Sequence, residues 1–413
     1  MTLDVPAIRS QFPALTSGLV YFDNPGGTQV PNRVVDRMVD YLVTMNANHE
    51  GAFPTSQRSD ALVEQAHQAM AALLHASPAE IVFGANMTTL TLHLSRSIAR
   101  QLQPGDEIIV TRLDHDANIS PWMHIAEDRG CTLRWLDFDV EDCTLRLADL
   151  DGLLSERTRL VAVGYASNAV GTINPVEQIV NRAHQAGALC YVDAVQYAPH
   201  GLIDVRQLDC DFLVVSAYKF FGPHAGILYG KHSHLEQLFP YKVRPAPASP
   251  PDKFETGTGN FEAMAGTLGA VEYLASLAPR PTAAAQPDSL RELLVRSLQS
   301  IRLHEQHLSR TLIEVLQALP GIRIHGITDP SAMDQRVPTV SFTVPGLHPR
   351  RIAAALGEQG IQVWDGNYYA LAVTERLGVE SQGGMVRVGL VHYNTDDEIQ
   401  RLVDALRPIL RLR

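Results

Sequence analysis

Residues 214–230 read VVSAYKFFGPHAGILYG, and Lys219 is the only Asp, Glu, Lys or Arg between Asp211 and Lys231. The flanking residues are those of buried strands, so the ammonium group has no partner close in sequence. Burying it unpaired would be costly. Either the side chain reaches water or it has chemistry to perform.

Working outward, short β-rich runs alternate with amphipathic helical patterns from about residue 80 to 230. The strand candidates are EIVFG, DEIIVT, LRWLDF, RLVAVGY, LCYVDA, DFLVVSA and GILYG. Between them lie segments such as TLTLHLSRSIARQL and PVEQIVNRAHQAG, with apolar residues three and four apart. This alternation predicts an α/β fold with a mostly parallel sheet covered by helices, whose ligands gather beyond the carboxyl ends of the strands. Three apolar runs end in polar residues at that rim: Asn168 after VAVGYAS, Asp193 after LCYV, and Ser216 with Lys219 after FLVV. A lysine and a carboxylate at neighbouring strand ends are what a pyridoxal 5'-phosphate site requires. The amine forms a Schiff base with the aldehyde, and the carboxylate keeps the ring nitrogen protonated.

The rest of the chain bounds this reading. At 413 residues it suits a large domain with a smaller one attached. The expected division is an N-terminal segment (1–20), a large domain (21–275), a Pro/Ala-rich linker (276–293) and a small C-terminal α+β domain (294–413). The composition is 45% hydrophobic and 19% charged, which is globular, and the net charge of -11 argues against nucleic acid or an anionic membrane as the main partner. Cys131, Cys143, Cys190 and Cys210 show no CxxC spacing and read as free thiols in a reducing compartment. No metal cluster is visible. Without a signal segment or a continuous apolar span of membrane length, the protein is expected to be cytoplasmic.

The stretch YVDAVQYAPHGLIDVRQLDCDFLVVSAYKFFGPHAGILYG resembles the class V aminotransferase group of pyridoxal-phosphate enzymes, and within it the cysteine desulfurases. The resemblance runs from VYFDNPGGTQVP to MVRVGLVHYNTDDEI. It implies a fold type I pyridoxal-phosphate-dependent transferase: a large α/β/α domain, a smaller C-terminal domain, and a homodimer with shared active sites. It further implies that Lys219 is the Schiff-base lysine and Asp193 the partner of the pyridine nitrogen. Gln196 and Asn168 would lie near the ring hydroxyl, and His115 would stack on the ring. Thr88, Thr89 and Ser216 would hold the phosphate, Thr258 would reach the phosphate of the other subunit, and Tyr218 stands where relatives have a histidine before the lysine.

At the substrate end, Arg387 aligns with the arginine that grips an α-carboxylate, a task suited to a guanidinium fork. His49 and Asn367 are the further candidates for lining the substrate pocket. The element that carries a nucleophilic cysteine in the closest desulfurases reads VWDGNYYALAV here, and no cysteine follows Cys210. Trp364 replaces a common arginine and Glu50 a common basic residue. These departures favour β-elimination, including C–S cleavage, on an α-amino acid, with the freed lysine as base. The alternatives are an aminotransferase, an epimerase, a desulfurase using an external thiol, or a non-catalytic cofactor-binding protein.

Overall fold

The computed structural model describes residues 3–279 and 288–411. Its strands are β1 (Val20–Tyr21), β2 (Ile81–Gly84), β3 (Glu107–Thr111), β4 (Thr132–Leu136), β5 (Thr158–Gly164), β6 (Leu189–Asp193) and β7 (Phe212–Ser216). They continue as β8 (Gly226–Gly230), β9 (Arg323–His325), β10 (Thr339–Thr343), β11 (Ile361–Gln362), β12 (Trp364–Gly366) and β13 (Met385–Gly389).

Seven strands form the central sheet in the order β2-β8-β7-β6-β5-β3-β4. The pairs from β7 through β4 are parallel, and β8 runs antiparallel to both of its neighbours. Strand residues alternate strictly between two apolar layers. Ile109, Val161, Val163, Val192, Leu213, Val215 and Ile227 enter one core, while Ile108, Val110, Leu160, Ala162, Tyr191, Val214 and Leu228 enter the other. Burial on both faces explains why these strands read as continuous apolar runs. The helices Met87–Ala99 and Ser120–Arg129 contribute to the second layer, and Pro54–Leu74, Val176–Gln185 and Phe261–Ser276 to the first.

A second sheet, β12-β13-β10-β9, is antiparallel. Its core takes residues from the helices Pro349–Gly357 and Asp396–Arg411 and from the C-terminal half of Leu290–Gln317. Two features cross the expected domain limits. Val20 and Tyr21 pair in parallel with Ile361 and Gln362, and Val20 and Phe22 bury in the C-terminal core. The helix Leu290–Gln317 opens inside the span expected to be linker, with a capping box between Ser289 and Glu292. Within that span, residues 280–287 lie outside the described residues. Among the described residues no helix is long and apolar enough to cross a membrane.

Candidate active site

The carboxyl ends of β3, β5, β6 and β7 open into one cavity of about 550 Å³. Its wall includes His115, Asn168, Asp193, Gln196, Tyr218, Lys219, Thr88 and Arg387, so these eight sequence candidates converge. Parallel strands deliver this arrangement because every strand ends on the same side of the sheet. The remaining candidates lie off the wall in this chain. Ser216 Oγ accepts from Met87 N at 3.2 Å, behind the opening turn of the helix. Thr89 N donates to Asn86 Oδ1 at 2.9 Å, so Asn86 is the helix cap. Thr258 is exposed, His49 is exposed with its ring edge against Phe261, and Asn367 turns its amide to Glu380 at 3.1 Å.

Lys219 sits in the short helical turn closing β7, and its Nζ donates to the carbonyl of Pro25. Burial and the nearby Arg387 guanidinium push its pKa down to about 7, against the pull of Asp23 and Asp193. The amine is held in a wall, without an ion pair among the described residues, close to neutrality. Asp193 is buried and accepts from Val195 N at 2.9 Å; desolvation raises its pKa to about 6. His115, half-buried with its Nδ1 accepting from Ala117 N at 3.0 Å, is pushed down to about 4 by desolvation and by the cations Lys219 and Arg387.

Four further wall residues escaped the sequence reading. Asp23 Oδ1 accepts from Arg387 Nη2 at 3.1 Å. Asp114 is buried, accepts from Thr111, Asn118 and Gly164 N, and is raised to about 7 by desolvation. Tyr368 lies under the Arg387 guanidinium at 4.4 Å, and Tyr369 stacks on His115 with ring centres 5.7 Å apart. A signal for the two aspartates was present: each is a polar residue closing an apolar strand, as Asn168 and Asp193 are. The tyrosines stand with Asn367 in the altered VWDGNYYALAV element, but which of the three side chains reaches the cavity depends on backbone conformation. Both tyrosines take φ near +60°, which strains residues bearing a Cβ. The strain is held by bonds across the domains: Asn168 Nδ2 donates to Tyr368 O at 2.9 Å and Asp116 N to Tyr369 O at 2.6 Å.

The wall fits a planar, anionic, electrophilic cofactor. Asn168 Oδ1 is buried without a partner among the described residues, the Asp193 carboxylate and the His115 imidazole line the same cavity, and the cavity volume lies in the range of cofactor sites. The fold and this cavity are those of a pyridoxal-phosphate-dependent α/β enzyme. A family model described as Aminotransferase class-V matches residues 20–303 and 288–402, and the chain belongs to that family of pyridoxal-phosphate enzymes.

Similar curated proteins include "Aminotransferase-like protein FGM3" of Gibberella zeae, 36% identical over 420 residues that cover 99% of each chain. A "Cysteine desulfurase" of Dickeya dadantii is 33% identical over 429 residues, covering 99% of this chain and 97% of its own. Among solved structures, the apo cysteine desulfurase from Thermococcus onnurineus superimposes with a TM-score of 0.89 at 27% identity, covering 100% of this chain and 99% of that one. The cysteine desulfurase CsdA from Escherichia coli gives 0.84 at 29% identity, with complete coverage of both chains.

Proposed function

We propose that the protein cleaves a β-substituent from an α-amino acid, with pyridoxal phosphate held by Lys219. The observation that carries this reading is the convergence of Lys219, Asp193 and Arg387 on one cavity whose wall contains no cysteine among the described residues. Cys143, Cys190 and Cys210 are buried, and desolvation pushes their thiols up, Cys143 to about 12. Cys131 lies beside Gln103 at the opposite end of the sheet. Such thiols are poor nucleophiles, which supports a route needing no protein persulfide.

When bound, the cofactor supplies an aldehyde for the amine and an electron sink that acidifies the α-hydrogen. Asp193 would hold a cation at the ring nitrogen, His115 would cover a ring face, and Asn168 and Gln196 would approach the ring hydroxyl. Thr88 would reach the phosphate, supported by Thr89, Ser216 and, from a second copy, Thr258. Lys219, with its pKa near 7 and so partly neutral at that pH, would take the α-proton. Arg387 would bind the carboxylate; its Nε is buried without a partner among the described residues. For a three-carbon substrate the net change consumes one water and yields the protonated leaving group, pyruvate and ammonia. An exposed apolar face of Val35, Val39, Leu42, Val43 and Phe53 supports pairing of two copies, and four free thiols support a cytoplasmic setting.

The test is a screen of L-α-amino acids bearing β-leaving groups, scored for pyruvate, ammonia and the released group. Equal yields of all three are expected. Amino-group transfer to an added keto acid with no side-chain release would replace this reading by transamination.

A further inference from the structure

We propose that Asp23 and the Pro25 carbonyl form the dock for the α-ammonium group of the incoming amino acid, completing with Arg387 a two-ended grip on the zwitterion. The inference rests on the reading of the substrate as an α-amino acid and deepens it.

The turn after β1 lies against both cations of the cavity. Asp23 accepts from Arg387 Nη2 at 3.1 Å, and the Pro25 carbonyl accepts from Lys219 Nζ. Asp23, Pro25 and Gly26 all line the cavity. The carbonyl therefore already receives an amine, and a substrate amine must come to the neighbourhood of the lysine it replaces. Once Lys219 is committed elsewhere, a carboxylate and a carbonyl remain as acceptors side by side. Three N–H groups of an ammonium need such acceptors when drawn out of water.

The dock is rigid. Gly26 N and Gly27 N both donate back to Asp23 O, at 2.9 and 3.3 Å. Asn24 Nδ2 donates to Gly389 O at 2.7 Å, and Thr28 N to Tyr218 O at 3.0 Å, so the turn is fastened to both domains. Glycine is required at two places: a Cβ on Gly26 would collide with the Asp23 carboxylate, and one on Gly389 with the Pro25 ring.

Arg387 meanwhile keeps capacity for the other end of the substrate. One Nη1 proton goes to the Asn168 carbonyl at 3.1 Å and one Nη2 proton to Asp23, leaving three of its five N–H groups. The charges then alternate across the site: guanidinium, substrate carboxylate, substrate ammonium, Asp23 carboxylate. Burial raises the Asp23 pKa, so an ammonium neighbour would relieve a desolvated charge.

Calorimetric titration of the borohydride-reduced holoenzyme, in which Lys219 is fixed to the cofactor and no amine exchange can occur, with L-alanine and with propionate tests this, since there the two probes differ only in the ammonium group. Asp23→Asn is expected to weaken L-alanine about tenfold and to leave propionate within about twofold. Gly26→Ala, which displaces the same carboxylate without removing it, should show the same split, and thermal midpoints report whether either variant is folded. Parallel weakening of both probes would overturn the dock and leave Asp23 as a residue that merely orients Arg387. Unchanged L-alanine affinity in both variants would overturn it too. A reduced wild-type holoenzyme that binds propionate as tightly as L-alanine overturns the dock alone, whereas an unreduced one that binds no L-α-amino acid overturns the functional reading beneath it.

Discussion

The two ends of the central sheet treat charge in opposite ways. Where the parallel strands begin, carboxylates meet cations: Glu107 takes Arg134 at 2.7 Å and Arg157 at 3.2 Å, and Asp106 takes Arg159 at 3.0 Å. Asp211 gathers His184 and His234, each at 2.9 Å, with Lys231 at 3.3 Å. These partners hold the Glu107 and Asp211 carboxyls below their ordinary range despite burial. Where the strands finish, Asp114 and Asp193 form no ion pair among the described residues, and Lys219 and His115 are pushed toward neutrality. One end uses charge to fix the sheet; at the other, Arg387 pairs with Asp23 and Arg376 with Asp137, but Asp114, Asp193 and Lys219 are left without a direct counter-ion among the described residues, so that these groups can change protonation near neutral pH.

The comparison breaks most visibly at Lys219. Lys219→Ala should abolish borohydride-fixed cofactor on the tryptic peptide and lower turnover by roughly 10³-fold or more. Because no ion pair is lost, its unfolding free energy should stay within about 1 kcal/mol of wild type. A large loss of stability would mean that the finishing end is structural after all. Asp211→Ala should do the reverse. Leaving His184, His234 and Lys231 without their shared carboxylate should cost about 3 kcal/mol in denaturant titration, while the cofactor's absorption band keeps its position. A shifted band would show that the two ends communicate.

Arg387→Ala sharpens the division within the cavity. Amino-acid affinity should fall about 100-fold and cofactor affinity only a few-fold, measured by spectral titration of each. Equal losses would remove Arg387 from the substrate end.

The smallest effect is a pH signature of the cofactor-free chain. Asp114 and Asp193 have raised folded pKa values, so the fold binds more protons than the unfolded chain between about pH 4 and 7. Their contribution to stability therefore falls as pH rises through that window. Lys219 has a lowered folded value, so its contribution rises as pH climbs from about 7 toward 10.5. His115, His325 and His392 have lowered folded values, about 4, 4 and 3, and pull the other way below neutrality. The signature is therefore read as a difference: relative to wild type, denaturant midpoints of Asp193→Asn should rise between about pH 4 and 6, and those of Lys219→Ala should fall between pH 7 and 9. Below about pH 4 the order reverses, because Glu107 and Asp211 have depressed values and lose their stabilising charge as acid protonates them.

Much of this was legible in the linear chain, for physical reasons. Doubly buried strands must be apolar throughout, so β3 and β5 to β8 stood out within a residue or two of their ends. Strand-end polar residues followed from the same pattern, which is how Lys219, Asp193 and Asn168 were found. What stayed hidden depends on contacts between distant segments. IQVWDG reads as one strand, yet β11 pairs with β1 and β12 with β13, because Val363 marks a change of sheet. Asp23 lies 364 residues from Arg387, and no local period announces that pairing. Asn367 was singled out for its place in an altered motif, but the left-handed backbone at Tyr368 and Tyr369 turns the two aromatic rings, rather than the amide, to the cavity.

The pairing of β1 with β11, and of Asp23 with the end of β13, sets an order on biosynthesis. β1 leaves the ribosome long before β11 and must wait for residue 361 before it finds its strand partner. Until residue 389 has been added, the lysine turn lacks its finished roof. A nascent chain thus completes the enclosure of the Lys219 amine only after β13 has emerged, more than 360 residues behind β1.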